Sequence, residues 1–134
     1  MIRRHLIQLL PAVFLLLPFA ALADGVITGR AKVIDGDTLW VGRTKICLCG
    51  IDAPERNKSG GLEATLYLKS VTKGRDIRCV PVGSGTPCDG RSRRTSYDRI
   101  VAQCCVGDTD LAASLVRSGN ARDWRRFSGG YYAR

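Results

Sequence analysis

Two short acidic motifs, Asp35-Gly36-Asp37-Thr38 and Asp52-Ala53-Pro54-Glu55, carry residue types that do chemistry together. Each follows a β-like run, and the tight Gly42-Arg43 turn joins those runs. Strand ends joined this way lie side by side, which would pool Asp35, Asp37, Asp52 and Glu55 in one small volume. Carboxylates that close require a cation or a proton between them. On a chain of formal net charge +9 such a cluster is hard to explain as ordinary surface. It reads as a divalent-cation site beside a general base. A lone Asp-Gly-Asp is more often a plain turn, so the weight rests on its pairing with Asp52 and Glu55.

The elements that must position these groups can be read from the pattern. Residues 26–34, 38–41 and 44–50 read as three strands, and 62–71 as a short helix with Leu62, Leu66 and Val71 as apolar positions. Residues 76–82 and 97–106 read as two further strands around a loop rich in Gly, Ser and Arg. Asp108 or Thr109 can cap a helix over 110–118, and Gly119 closes it. Three strands, a helix, two strands and a helix is the order of a five-stranded oligonucleotide/oligosaccharide-binding (OB) barrel, a mainly β, α+β fold.

Residues 1–23 read as a secretory signal. Arg3 and Arg4 precede an apolar stretch, and Ala21-Leu22-Ala23 supplies small residues for cleavage. Pro11 and Pro18 favour a signal over a retained anchor. Residues 24–134 then form one domain of roughly 110 residues, secreted or periplasmic, monomeric and without stable membrane association. Without Arg3 and Arg4 the formal charge of +9 falls to about +7, which suits nucleic acid, anionic glycans or membrane surfaces as partners.

All 6 cysteines lie beyond the signal, and an even number in an exported chain implies disulfides. Cys79 and Cys104 each end a β-like run, so a bridge between neighbouring strands is expected there. The single histidine, His5, lies in the signal. Histidine-based triads, paired-histidine ribonucleases and most zinc hydrolases are therefore excluded. Acid–base work falls to carboxylates, lysine, tyrosine, cysteine or metal-bound water.

Four segments in order, 33–38, 50–55, 97–102 and 115–119, resemble the thermonuclease, or staphylococcal nuclease-like, family. The resemblance runs from Gly29 to about Tyr132. It implies a calcium-dependent phosphodiesterase on an OB barrel that cuts single-stranded DNA and RNA and leaves 3′-phosphate ends. It further implies Asp37, Asp52 and the Ala53 backbone carbonyl as calcium ligands, with Asp35 as a nearby supporting carboxylate. Glu55 matches the residue that activates water, and Arg99 the arginine on the phosphate. The chemistry is coherent on general grounds, since phosphodiester hydrolysis needs a cation, a base and fixed positive charge.

The sequence departs from that pattern at several positions. Cys47 stands where the family carries a phosphate-gripping arginine, and cysteine has no cationic fork. Lys45, on the same strand face roughly 7 Å away, is the candidate substitute, as a point charge only. Asp98 replaces a usual glycine and would draw Arg99 away from phosphate; Thr95 and Asn120 also depart. The family continues through another helix, so the C-terminal helix is expected to be cut short at Arg134. Arg122, Arg125 and Arg126, with Trp124 and Phe127 interleaved, are candidates for holding bases, although Trp124 is expected mainly in the core. Lys32 and Arg43 read as ordinary surface. The alternative to a nuclease is an OB module that has lost cleavage and binds nucleic acid or another polyanion.

Overall fold

The computed structural model describes residues 25–133, so the expected signal lies outside the described residues. Strand β1 (Ile27–Val33) alternates, with Ile27, Ala31 and Val33 packed on the core and Thr28, Arg30 and Lys32 outward. Strands β2 (Thr38–Val41) and β3 (Thr44–Leu48) form a hairpin across Gly42, whose φ of +57° a side chain would resist. A short β4 (Ile51–Asp52) follows, then α1 (Gly61–Thr72), β5 (Asp76–Pro81), β6 (Thr95–Ser96) and β7 (Arg99–Val106). The chain ends with β8 (Thr109–Asp110), α2 (Leu111–Arg117), β9 (Arg122–Asp123) and α3 (Arg125–Ser128).

Five strands run β3-β2-β1-β5-β7, each antiparallel to its neighbour, and a parallel β3–β7 pairing closes the ring. This is the expected OB barrel, with α1 between its third and fourth strands and α2 after its fifth. Leu39, Ile46, Leu48 and Ile77 fill it, with Leu68 of α1 and Leu111 and Leu115 of α2 in the same cluster. Cys79 and Cys104 are register partners on β5 and β7 and form the expected inter-strand disulfide. A second disulfide, Cys49–Cys88, ties the loop after β5 to the end of β3, while Cys47 and Cys105 are free thiols.

Several expectations shift. The third strand stops at Leu48, and Gly50 then turns with φ of +77°. The last barrel strand starts at Arg99, because Tyr97, at φ 56°, and Asp98 form the turn from β6. Helix α2 is capped by Asp110, whose Oδ1 accepts the Ala112 and Ala113 amides at 2.9 and 3.3 Å, rather than by Asp108 or Thr109. Trp124 is 47% exposed and is not core. Tyr132 is the buried aromatic of that end, and its hydroxyl donates to Asp110 Oδ2 at 2.9 Å. Burial, then the Asp110 charge, pushes that phenol up.

Candidate active site

The first acidic motif is a closed turn. The Ile34 amide donates to the Thr38 carbonyl at 2.9 Å, and the Asp37 amide to Asp35 Oδ1 at 3.3 Å. The Leu48 amide donates to the Asp37 carbonyl at 2.8 Å, which fixes the turn to β3. Gly36 makes the decisive contact. A Cβ built there would sit 2.8 Å from Ala53 Cβ and 2.7 Å from Ala64 Cβ. Only a residue without a side chain lets the turn rest on both the second motif and α1. The Ala53 amide then donates to Asp37 Oδ2 at 3.3 Å, joining the two motifs directly.

Burial, and next the neighbouring Asp35, push Asp37 up to about 6. Thr38 and the Ala53 amide partly offset this by bonding its charged form. Beside it Arg99 donates from Nη1 to Thr38 Oγ1 at 2.9 Å, and that hydroxyl donates onward to Asp37 Oδ1 at 3.0 Å. Arg99 Nε is buried and has no partner among the described residues. Burial, then the Asp37 charge, push the Cys47 thiol up to about 12, so it stays protonated and supplies neither cation nor nucleophile.

Asp52 lies one residue before Ala53 and is shared with Arg122, its register partner on β9, at 3.3 Å. The Glu55 side chain is exposed and has no hydrogen bond or ion pair among the described residues. Its carbonyl receives the Lys58 amide at 2.8 Å and lies where a side chain on Gly61 would have to go. The start of α1 thus holds the backbone of the expected base. Among the described residues no three Asp, Glu or Cys side chains converge as a ready metal cage. The expected pool of four carboxylates is therefore a half-buried Asp35–Asp37 pair with Asp52 and Ala53 adjoining. The donor chemistry still fits calcium, a hard cation that takes carboxylate and carbonyl oxygen and completes its shell with water.

Lys45 and Asp98, separate in the sequence reading, are a pair at 2.9 Å. The Lys45 hydrogen bond holds the Asp98 carboxyl below its usual range. Asp98 therefore takes up the substitute cation rather than Arg99. Trp124 and Phe127 pack edge to face at 4.7 Å and line a groove of about 440 Å³ with Cys47, Arg91, Arg93 and Arg126. Arg126, not Arg125, lines this groove. The sequence reading missed Thr38 as the link between Arg99 and Asp37, and Tyr97, 95% exposed with the Arg99 guanidinium 5.9 Å from its ring. Tyr97 left one signal, a bulky residue where the turn needs positive φ.

The acidic turn, the second acidic motif and the strand-borne arginine thus meet on one side of a closed OB barrel. The comparison with protein families agrees. The family model described as Staphylococcal nuclease homologue matches residues 45–132, and the chain belongs to that family. Its members are usually nucleases and in general calcium-dependent. The match begins at Lys45, so the Asp35–Asp37 turn joins the site through the contacts described above. Among curated proteins the chain is similar to the succinoglycan biosynthesis protein ExoI of Rhizobium meliloti (strain 1021), 33% identical over 121 residues. That alignment covers 80% of this chain and 57% of the relative, so the chain spans little more than half its length.

Proposed function

We propose that this chain is an exported, calcium-dependent phosphodiesterase that cuts single-stranded DNA or RNA and leaves 3′-phosphate ends. The observation that carries the reading is the join of Asp37 to Ala53 beside an arginine with a buried, unmet donor. Asp37, Asp52 and the Ala53 carbonyl would hold the cation, with Asp35 in support. Bound there, calcium would polarise the phosphate oxygens. Glu55, exposed and unpaired, takes the proton from the attacking water. Arg99, held by Thr38, offers its remaining donors to phosphate charge as the fifth oxygen joins phosphorus. The two disulfides suit an oxidising compartment, in line with removal of residues 1–23 as a signal and release of residues 24–134 as a monomer, periplasmic or secreted.

The test is denatured DNA with the oxidised protein, in calcium and in chelator, reading fragment size and end group. Calcium-dependent fragments that disappear in Glu55→Gln are expected. Cleavage that persists unchanged in chelator overturns the reading.

A second reading is favoured by one observation: the cation nearest position 47 is Lys45, and Asp98 holds it. An OB module that binds a polyanion without cutting it needs no free cation there. The relative named for succinoglycan biosynthesis makes a glycan the alternative polymer. Salt-dependent binding without cut products is its signature.

A further inference from the structure

The outer face of β1, β2, β3 and β7 carries a row of side chains that the site described above does not use. Lys32 of β1 is the register partner of Trp40 on β2, and Trp40 is the partner of Lys45 on β3. The parallel pairing of β3 with β7, Ile46 against Ile100, puts Lys45 level with Arg99. One cross-strand row therefore reads cation, aromatic, cation, cation, and its last member is the phosphate-facing arginine. Trp40 is half-buried, and Lys45 Nζ sits 6.0 Å from its ring centroid. Lys32 is exposed and has no ion pair among the described residues, whereas Arg30, two residues earlier on the same face, is paired with Asp76 at 3.4 Å. Along β2, Trp40 stands two residues from Thr38, the hydroxyl that holds Arg99, a step of about 7 Å.

We infer that the row Lys32–Trp40–Lys45 is a second contact site for single-stranded nucleic acid, continuous with Arg99. A base of the bound strand stacks on Trp40, and the flanking phosphates lie against Lys32 and Lys45. Charge complementarity and continuity with Arg99 argue for this occupant. A row of cations alone would accept any polyanion, but a partly open indole between two lysines is the pattern of base stacking with backbone neutralisation. Asp98 belongs to the same device. It competes with phosphate for Lys45, so it sets how much of that lysine the strand can use. The inference rests on the nucleic-acid reading proposed above.

The chain has 2 tryptophans, so Trp124→Phe leaves Trp40 as the only indole reporter. That variant, with Glu55→Gln to prevent cutting, is titrated in calcium with fluorescein-labelled oligo(dT) about a dozen nucleotides long. Anisotropy reports binding, and Trp40 fluorescence, measured with unlabelled oligo(dT), reports stacking. Binding is expected to quench Trp40. In the Glu55→Gln protein, Trp40→Ala should weaken binding roughly five- to hundredfold, with Trp40→Phe retaining most of it. Lys32→Gln should lower the slope of log affinity against log salt by about 0.7, a change that mere loss of sheet stability does not produce. Thermal transitions confirm that each variant is folded, and Lys32→Gln, at an exposed position, keeps the test open if Trp40→Ala does not fold. Oligo(dT) bound at normal strength with Trp40 unquenched and the salt slope of Lys32→Gln unchanged overturns this inference and leaves the nucleic-acid reading standing. No binding of oligo(dT) by the Glu55→Gln protein itself overturns both.

Discussion

Replacing Gly36 with alanine tests whether the two acidic motifs are held together by packing. The added Cβ would lie 2.7 Å from Ala64 Cβ and 2.8 Å from Ala53 Cβ, against an ordinary carbon–carbon contact of about 3.5–4.0 Å. Both neighbours must retreat by roughly 1 Å, or the turn must lift off them. Ala64 is fully buried in α1, and Ala53 is 8% exposed, so neither moves freely. Gly36 is not among the residues of positive φ, so the cost is steric rather than conformational. Overpacking of this kind costs about 1–3 kcal/mol. Alanine also restricts the unfolded chain, which returns about 0.4–1 kcal/mol. The net expectation is a loss of about 1–2 kcal/mol, a fall in Tm of about 4 °C or more for a domain of this size. Because Ala53 donates to Asp37, the same shift should weaken calcium binding beyond what reduced stability explains. Urea unfolding with and without calcium measures both effects. A Gly36→Ala protein as stable as the parent, with the same gain from calcium, would refute the claim that this contact assembles the site.

Gly61→Ala should displace Glu55, since its Cβ would collide with the Glu55 carbonyl; kcat on denatured DNA should fall at least tenfold, and an unchanged kcat would remove Glu55 as the base. Cys47→Arg should raise single-turnover cleavage on the order of a hundredfold, by supplying a fork beside Arg99; no change in rate would place position 47 away from the reacting phosphate. Asp89 accepts the Gly83 and Gly85 amides at 2.6 and 2.8 Å, and its bond to Thr86, then to Gly83, holds it at about 2, below the ordinary 3.8. Its contribution is therefore complete above about pH 4 and lost as pH falls toward 2, so amide exchange at Gly83 and Gly85 should quicken over that window. Asp89→Asn should remove that pH dependence, and its persistence would assign the change to another group.

The barrel was legible because its five strands alternate or end in turn residues and α2 lies between Asp and Gly signals; the inward face of α1 was not, since Leu62 and Leu66 are exposed and Ala64, Thr65 and Leu68 are buried instead. The two-residue strands were not, because they exist only by pairing across the chain, as Asp52 does with Arg122. Long-range partners stayed hidden for the same reason. Lys45 and Asp98 are 53 residues apart, and nothing local in either names the other. Trp124 was misplaced because bulk suggested core, while the arginines at 125 and 126 and Asp123 marked a solvent-facing segment. The acidic motifs themselves were plain in the sequence. Their contact through Gly36 was not, since it depends on Ala64, a helix residue that carries no chemistry.

The pairings redistribute charge around the site in a definite way. Asp52 shares Arg122 and Asp98 holds Lys45, so the charged groups without an ion pair around the candidate site are Asp35, Asp37, Glu55 and Arg99. Three carboxylates against one guanidinium leave a negative balance where the proposed phosphate would sit. A divalent cation at Asp37 would cancel that balance, and an arginine at position 47 would reduce it beforehand. With Cys47 in that place, phosphate binding there is expected to depend on the cation. Lys32, on the same row as Trp40 and Lys45, has no ion pair among the described residues and stays positive without a cation. On the proposed reading, retention of the strand and its cleavage fall to different parts of one barrel face, and Cys47→Arg is expected to raise rate more than affinity.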